Sequence, residues 1–421
     1  MSQLVSSGAA PTVTRLPPVA RPAAPPGLRK FLSLQDFETS ARRHLPRPLF
    51  EYIAGGAEDS ASLHDNRTAF SEFGFVTRVL RNVSGRSQAV DLFGRRYASP
   101  FGIAPMGISA LSAYRGDLVQ ARAAAAEGVP MIMSGSSLIA LEEVIAAAPD
   151  TWFQAYLPGE TARIEALIDR VDAAGVKTLV LTVDTAVLAN RENNIRAGFS
   201  TPLRPSFRLA WEGLTHPRWT IATFLRTLVT HGMPHFENSY ATRGAPILSS
   251  RVARDFGAKD HLDWEHLALI RRKWKRTLVV KGIMNHEDAR KVRDMGADGL
   301  IVSNHGGRQL DGTVSPLRVL PEIVQAVGGD FPVMMDSGIR RGTDVLKALA
   351  LGAKFVFVGR PFNYAAAVAG EEGVRHAIRI LADEIQRDLG LLGLMSISEV
   401  TGTQLRDVRR SLLNPFLTPE A

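Results

Sequence analysis

Two features of the amino-acid sequence predict an α/β fold, a (β/α)8 barrel of the TIM type. From residue 101 to residue 358, eight short apolar runs alternate with segments of helical length, which is the pattern of repeated βα units. None of these runs is followed by the GxGxxG turn of a dinucleotide-binding doubly wound sheet, the main alternative for such an alternation. Eight units are the number that closes a TIM barrel.

The predicted strands are apolar runs of four to six residues, as expected for parallel strands buried on both faces. They cover residues 101–105, 131–134, 152–156, 178–183, 277–281, 299–303, 332–336 and 355–358. The helices expected between them cover residues 117–127, 141–148, 162–174, 264–274, 286–295, 317–327 and 344–351. This arrangement makes each helix the crossover between two parallel strands.

A helical segment is predicted ahead of the barrel, with helices at residues 33–44 and 47–55. Ser33 followed by Asp36 has the spacing of a capping box at the start of the first helix. The second helix is expected to end at a pair of glycines.

The first 30 residues differ in composition from the rest of the chain. They are rich in Pro and Ala, contain no acidic residue, and lack the charged start and apolar core of a secretory signal. Residues 1–30 are therefore predicted to be a flexible tail, and residues 31–421 the folded barrel domain.

The alternation of strands and helices breaks after the fourth predicted strand, at residues 197–262. This insertion contains Trp211, Trp219 and Phe224 together with several Arg and His residues. A loop of this length is typical of an active-site lid. Aromatic and basic residues without a long apolar span are also typical of a segment that lies on a membrane surface, so both interpretations stay open.

Composition excludes several classes of site. The chain of 421 residues has no Cys, which rules out disulfides, thiolate metal sites and a cysteine nucleophile, and no metal site is predicted. The net charge of +8, from 50 basic and 42 acidic residues, is mild, and no basic run interleaved with aromatic residues indicates nucleic-acid binding. No stretch reaches the roughly 18 apolar residues that a transmembrane helix needs.

Polar residues concentrate at the carboxyl ends of the predicted strands. These ends lie on one face of a barrel, where active sites of TIM-barrel enzymes are found. The residues are Ser134, Gln154, Tyr156, Thr182, Asp184, Lys281, Ser303, His305, Asp336 and Arg360. Their concentration at one end predicts an enzyme.

Two kinds of loop at this face of the barrel contain candidate catalytic or phosphate-binding residues. The stretch GLIVSNHGGRQLDG at 299–312 places His305, Arg308 and Asp311 directly after a strand. Glycine- and arginine-containing loops follow the seventh and eighth strands, at 336–342 and 359–360. Loops at these two strands commonly bind a phosphate group through backbone N–H groups and a guanidinium.

Several motifs resemble the FMN-dependent (S)-2-hydroxy-acid oxidase and dehydrogenase family, which includes glycolate oxidase, L-lactate dehydrogenase and mandelate dehydrogenase. The motifs are SNHGGRQLDG, DSGIRRGTDVLKALALGA, FVGRP, YIAGGAED, LTVDT and LVVKG, within a resemblance that extends from about residue 34 to residue 397. The HPRW and HGMP sequences of the insertion resemble the membrane-associated mandelate dehydrogenase branch, where this segment binds the membrane.

The resemblance implies FMN as cofactor and oxidation of an (S)-2-hydroxy acid, lactate- or mandelate-like, to the 2-oxo acid. It implies that His305 is the base and that Asp184 stabilises the imidazolium. It also implies that Tyr156 contacts the substrate hydroxyl. The residues expected to bind the substrate carboxylate are Arg308, Arg191 and Tyr52.

The remaining roles implied by the resemblance concern FMN. Lys281 is expected beside the flavin edge that becomes negative on reduction, where a cation stabilises the reduced form. The other expected cofactor contacts are Pro105, Met106, Gly107, Ser134, Gln154, Thr182, Ser303, Asp336, Gly338, Arg340, Gly359 and Arg360.

The resemblance also implies partners and leaves alternatives. Electrons are expected to pass to a quinone or cytochrome, because the position of Gly107 is Gly in several dehydrogenases of the family and Ala in many oxidases. An oxidase of the same family would instead reduce O2 to H2O2. A non-catalytic flavin- or membrane-binding scaffold is the remote alternative. Ser136 is expected to leave room for a larger substrate side chain. A homotetramer is expected in the cytoplasm. If the insertion binds the membrane, the protein is expected at the periphery of the inner face of the cell membrane.

Overall fold

Eight parallel strands form the centre of the computed structural model, which describes residues 24–251 and 259–409. These eight are β4 to β11 of all the strands in the described residues, which in chain order are β1 Phe73–Phe75, β2 Val90–Leu92, β3 Arg95–Tyr97, β4 Phe101–Ile103, β5 Ile132–Ser134, β6 Trp152–Tyr156, β7 Thr178–Thr182, β8 Thr277–Ile283, β9 Gly299–Val302, β10 Val333–Met335, β11 Phe355–Val358 and β12 Leu405–Asp407. Strands β4 to β11 are hydrogen-bonded in the order β4-β11-β10-β9-β8-β7-β6-β5. A parallel bridge between Ile103 and Met131 closes the ring. The predicted (β/α)8 barrel is confirmed.

Helices surround this barrel and precede it. They are α1 Leu34–His44, α2 Arg47–Ala54, α3 Ala61–Thr68, α4 Ser109–Ser112, α5 Gly116–Ala126, α6 Leu141–Ala147, α7 Thr161–Ala173, α8 Glu192–Ala197, α9 Phe207–Thr215, α10 Pro217–Trp219, α11 Arg226–His231, α12 Trp264–Lys273, α13 His286–Asp294, α14 Pro316–Val327, α15 Gly342–Ala350 and α16 Arg360–Leu392. Short 3-10 helices cover Pro26–Leu28, Ala69–Glu72, Ile397–Glu399 and Gly402–Gln404, and a π-helix covers Thr220–Leu225. Helix α16 is broken at Ala369 and Gly370, where the backbone leaves the helical region.

The strands form where the sequence alternation predicts them because their side chains are buried on both faces. Every residue of β7 is buried, and alternate positions divide between two apolar clusters. Val180 belongs to the cluster inside the barrel, whereas Leu179 and Leu181 belong to the larger one. Leu92 and Tyr97 of the β2–β3 hairpin join the inner cluster at the amino end of the barrel. The carboxyl end is left for polar side chains.

The segment before the barrel contains the two predicted helices. The side chain of Asp36 accepts hydrogen bonds from the backbone N–H groups of Leu32 and Ser33, which completes the capping box of α1. Of the predicted tail, residues 1–23 lie outside the described residues, and Leu28 is buried.

The insertion contains α9, α10, the π-helix and α11, and residues 252–258 lie outside the described part of the chain. It is attached to the barrel by Trp219, which is buried and donates a hydrogen bond of 2.8 Å to the carbonyl of Leu111. No residue of Phe207–Thr215 is buried. Within the described residues, no helix is both long and apolar enough to cross a membrane.

Candidate active site

The predicted functional residues meet in a cavity of about 720 Å³ at the carboxyl end of the barrel. Fifteen of them line it, namely Tyr52, Pro105, Met106, Gly107, Tyr156, Thr182, Arg191, Lys281, His305, Arg308, Asp336, Gly338, Arg340, Gly359 and Arg360. The other four, Ser134, Gln154, Asp184 and Ser303, are not among the lining residues. Asp184 and Ser303 are hydrogen-bonded to His305 and Lys281, and Ser134 is bonded to Gln154.

His305 lies in a tight turn that begins where β9 ends. Its φ of 58° is left-handed, and Gly306 and Gly307 continue the turn with φ of 68° and 72°. A Cβ atom on Gly307 would lie 2.5 Å from the backbone nitrogen of Leu63, so the turn packs closely on α3. The rare backbone conformation of His305 is therefore fixed by its surroundings.

The imidazole of His305 is oriented by Asp184. Its Nδ1 lies 2.8 Å from Oδ1 of Asp184, and a carboxylate accepts hydrogen bonds, so Nδ1 carries the proton. Burial lowers the pKa of His305 below its usual value, against the opposing effect of the Asp184 carboxylate. Burial acts to raise the pKa of Asp184, but the interactions with His305, including its Nδ1–H hydrogen bond, and the charge of Lys281 outweigh it, and the pKa is lowered. The pair consists of a neutral imidazole with Nε2 available and an ionised carboxylate.

Two guanidinium groups beside the imidazole point to an anionic ligand. Burial, together with the positive charge of Arg191, lowers the pKa of Arg308 to about 9. Arg308 donates Nη1 to the carbonyl of Gly55, at 2.8 Å, and its Cζ lies 5.1 Å from the centre of the Tyr52 ring. Within residues 24–251 and 259–409, neither Arg191 nor Arg308 forms an ion pair. Two half-buried cations of this kind favour a carboxylate between them.

Lys281 is a third cation in the same cavity, and it is buried. Only 4% of it is exposed, and its Nζ lies 2.8 Å from Oγ of Ser303 and 3.1 Å from Oδ2 of Asp336. Burial acts to lower the pKa of Lys281, but the carboxylates of Asp336 and Asp184 outweigh it and raise the pKa. Lys281 is therefore protonated and held in a fixed position.

Arg360 connects the loop after β11 with the turn that carries His305. It donates Nε to the carbonyl of Ile53, at 2.8 Å, and Nη2 to the carbonyls of Gly55 and Gly306, at 3.0 Å each. These contacts join the end of α2, the turn after β9 and the first turn of α16. The side chain predicted to bind phosphate therefore also supports the turn that carries His305.

Comparison with known proteins identifies the family. A sequence model described as FMN-dependent dehydrogenase matches residues 41–407. The chain belongs to this family. It is 38% identical over 385 residues to an L-lactate dehydrogenase of Pectobacterium atrosepticum, covering 90% of this chain and 98% of that protein. It is 40% identical over 379 residues to one of Xanthomonas euvesicatoria, covering 89% and 96%.

Solved structures give the same result. A crystal structure of the monotopic membrane protein (S)-mandelate dehydrogenase has a TM-score of 0.83 and 34% identity, covering 90% of this chain and 100% of that one. A mandelate oxidase structure has a TM-score of 0.74 and 36% identity, covering 89% and 98%. The FMN-dependent dehydrogenase family thus assigns to this chain the cofactor FMN and the oxidation of a 2-hydroxy acid.

The residues present fit FMN. Three of the predicted cofactor contacts have a buried polar atom with no hydrogen-bond partner in the described part of the chain: Gln154 Nε2, Thr182 Oγ1 and Arg340 Nε. Such atoms are costly unless a ligand satisfies them. Gly338, with a φ of 84°, has no room for a side chain, because a Cβ atom would lie 1.8 Å from the carbonyl oxygen of Asn66. A flavin has polar atoms for the first two groups and a phosphate for Arg340.

The sequence patterns did not identify two residues of the cavity. Gln309 lies inside the motif that contains His305, and it bonds to both Arg191 and Asp184. The motif could have suggested it. Phe199 stacks on Tyr52 with ring centres 4.5 Å apart, and no signal in the sequence pointed to this contact.

Proposed function

We propose that this cavity oxidises an (S)-2-hydroxy acid with His305 as the base that accepts a proton from the substrate. The observation that carries the proposal is the neutral imidazole oriented by Asp184 next to the guanidinium groups of Arg191 and Arg308. A base and a carboxylate-binding site side by side suit a molecule whose hydroxyl is one carbon from its carboxylate.

The substrate carboxylate would bind between the two guanidinium groups. Nη1 of Arg308 is already engaged, so Nε and Nη2 present the bidentate edge. Tyr52 lines the same cavity and adds a hydroxyl donor to the carboxylate. Tyr156, also in the lining, would donate to the substrate hydroxyl or to the ketone oxygen that it becomes.

Proton removal is supported by the charges around His305. Nε2 of the neutral ring takes the proton, and the ionised Asp184 stabilises the resulting imidazolium at Nδ1. Bound FMN supplies the two-electron acceptor of the oxidation. Lys281 would stabilise negative charge at the flavin edge, while Gly338, Arg340, Gly359 and Arg360 would hold the phosphate.

The substrate side chain would occupy the part of the cavity next to Ser136. Ser136 and Gly107 are small, and Phe199 provides an aromatic surface. These residues favour an aryl substituent of the mandelate type. The L-lactate dehydrogenases among the relatives favour a methyl group instead.

A quinone is the proposed electron acceptor, reached at a membrane surface. The exposed apolar side chains of Val187, Leu188 and Ile195 lie at the cavity. They would allow an apolar acceptor to approach the site. The alternative is transfer to O2, and release of H2O2 equal to the substrate consumed in air would favour it.

The insertion is the proposed membrane contact. Phe207, Trp211 and Leu214 are 98%, 65% and 73% exposed and share one face of α9. Ile221 and Val229 extend the exposed apolar side chains along the following helices. Six Arg and two Glu residues between 197 and 251 add positive charge for anionic lipid headgroups. The chain would then lie on the cytoplasmic face of the membrane as a homotetramer. Its attachment would be monotopic, like that of the (S)-mandelate dehydrogenase.

The test is anaerobic bleaching of bound FMN by (S)-lactate and (S)-mandelate in wild type and His305→Gln. We expect both acids to bleach the wild-type flavin, mandelate faster, and the variant to be slower by roughly 10²- to 10⁴-fold. Equal rates in variant and wild type would reject His305 as the base. A holoprotein that no 2-hydroxy acid bleaches would instead support the scaffold alternative.

A further inference from the structure

Gln309 holds both ends of one active-site loop, the β7–α8 loop (residues 183–191). Its Nε2 donates a hydrogen bond of 3.0 Å to the backbone carbonyl of Asp184. Its Oε1 accepts a hydrogen bond from Nη2 of Arg191. One side-chain amide therefore bridges the first and last parts of the loop.

The β7–α8 loop contributes no side chain to the apolar core of the described residues. Asp184 near its start is largely enclosed, with 12% of its side chain exposed, whereas Val187 and Leu188 at its tip are 68% and 74% exposed. Its position therefore depends on hydrogen bonds at its two ends rather than on apolar packing. Besides the two contacts of Gln309, the backbone N–H of Val183 donates to the carbonyl of Lys281 at 3.0 Å, and that of Glu58 donates to the carbonyl of Asn190 at 2.9 Å. Nε of Arg191 also donates to the carbonyl of Arg308 at 2.9 Å.

The two ends of this loop carry different functions. Asp184 orients His305 through Oδ1, and Arg191 is one of the two guanidinium groups next to the imidazole. The distance between base and carboxylate site consequently depends on the loop ends keeping their separation. Small displacements in such a constellation cost large factors in rate.

We propose that Gln309 is a positioning residue that couples carboxylate binding at Arg191 to the His305–Asp184 pair. The inference rests on the proposed function of these three residues. An amide is suited to the task because it offers a donor and an acceptor on one rigid group. A Glu side chain would present only acceptors and would repel the Asp184 carbonyl, and a Met side chain would offer no donor and at best a weak acceptor.

The first experiment compares Gln309→Met with wild type as FMN-loaded enzymes. We expect the dissociation constant of the 2-oxo acid product, measured from the change in flavin absorbance, to rise roughly ten-fold. The limiting rate of flavin reduction should fall, and the acidic limb of its pH profile should move to lower pH as Asp184 loosens. Leu310→Ala, at an exposed neighbouring side chain, is the matched control and should behave as wild type.

A double-mutant cycle tests the coupling itself. In an Arg191→Met background, Gln309→Met should change product binding by less than about two-fold, because its partner is already absent. Equal effects of Gln309→Met in both backgrounds would overturn the coupling. Gln309→Glu keeps the acceptor for Arg191 and nearly the original volume. It replaces Gln309→Met in the experiment if the Met variant does not fold. We expect Gln309→Glu to bind the product more weakly than wild type as well.

Failure of this inference can be told apart from failure of the proposed function. If no 2-hydroxy acid bleaches the wild-type flavin, the proposed function is wrong, and the inference falls with it. If the wild type is bleached, and Gln309→Met binds product as tightly with an unchanged pH profile, only the role of Gln309 is rejected.

Discussion

Asp184 and His305 are 121 residues apart in the chain, yet Oδ1 of the one lies 2.8 Å from Nδ1 of the other. A glycine on the neighbouring strand β8 leaves space for the Asp184 side chain in this contact. Gly282, with a φ of 107°, lies against the carboxylate, and a Cβ atom there would come within 2.7 Å of the Asp184 Cβ. The charge of Asp184 thus acts directly on the proposed base.

Replacement Asp184→Asn should shift the pH profile. The proposed mechanism requires neutral His305, whose pKa lies below its usual 6.5, so kcat/KM should fall only below that value in wild type. Since the carboxylate raises the pKa of His305, its removal should move the acidic limb to still lower pH. The plateau should drop by about two orders of magnitude, because the imidazolium loses its stabilising charge. A limb that moved to higher pH would contradict this account.

Arg340→Met should weaken FMN binding. Its Nε is buried without a hydrogen-bond partner in the described part of the chain, and a phosphate would satisfy it. Loss of a charge-assisted hydrogen bond should raise the FMN dissociation constant by about ten-fold or more. Flavin absorbance per chain after dialysis measures the effect. The neighbouring Arg341→Met, at a half-exposed side chain that pairs with Glu384, is the control and should retain FMN.

Gly338→Ala should reduce both FMN content and thermal stability. The new Cβ would meet the carbonyl of Asn66 at 1.8 Å, in addition to the cost of a positive φ, about 1–2 kcal/mol. Gly328→Ala is the matched control, because Gly328 has a φ of 85° but no atom within 4 Å of its Cβ position. Thermal unfolding should show a clearly larger fall in Tm for Gly338→Ala. Equal falls would mean that close packing at Gly338 is unimportant.

Exposed apolar residues of α9 should govern membrane attachment. The double replacement Phe207→Ser and Trp211→Ser should lower co-sedimentation with anionic liposomes at low salt, because buried apolar area contributes to interfacial binding. Leu80→Ser changes a fully exposed apolar residue outside the insertion and should leave binding unchanged. Wild-type protein that remained in the supernatant would reject the membrane contact altogether.

The barrel could be predicted from sequence because strands that are buried on both faces appear in the sequence as continuous apolar runs. Each of the eight predicted apolar runs contains a barrel strand, with differences of a few residues at the ends. The run ending at Pro105, for example, forms a strand only as far as Ile103. Proline has no N–H for the ladder, so its presence already indicated an early end.

Contacts between distant side chains were harder to predict. The stacking of Phe199 on Tyr52 joins the start of the insertion to α2. No sequence pattern in either segment predicts this contact. The bridge by Gln309 depends on the orientation of one amide, which spacing along the chain does not specify. Motifs indicated which loops carry the site, while the orientation of each side chain required the folded chain.

Arg360 reaches from the proposed phosphate site to the carbonyls of Ile53, Gly55 and Gly306. The proposed phosphate site and the turn that carries His305 consequently share one structural support. Loading with FMN and assembly of the substrate site should then be a single all-or-none event. A partly loaded preparation would be a mixture of fully competent and inert molecules, with turnover per bound flavin independent of occupancy.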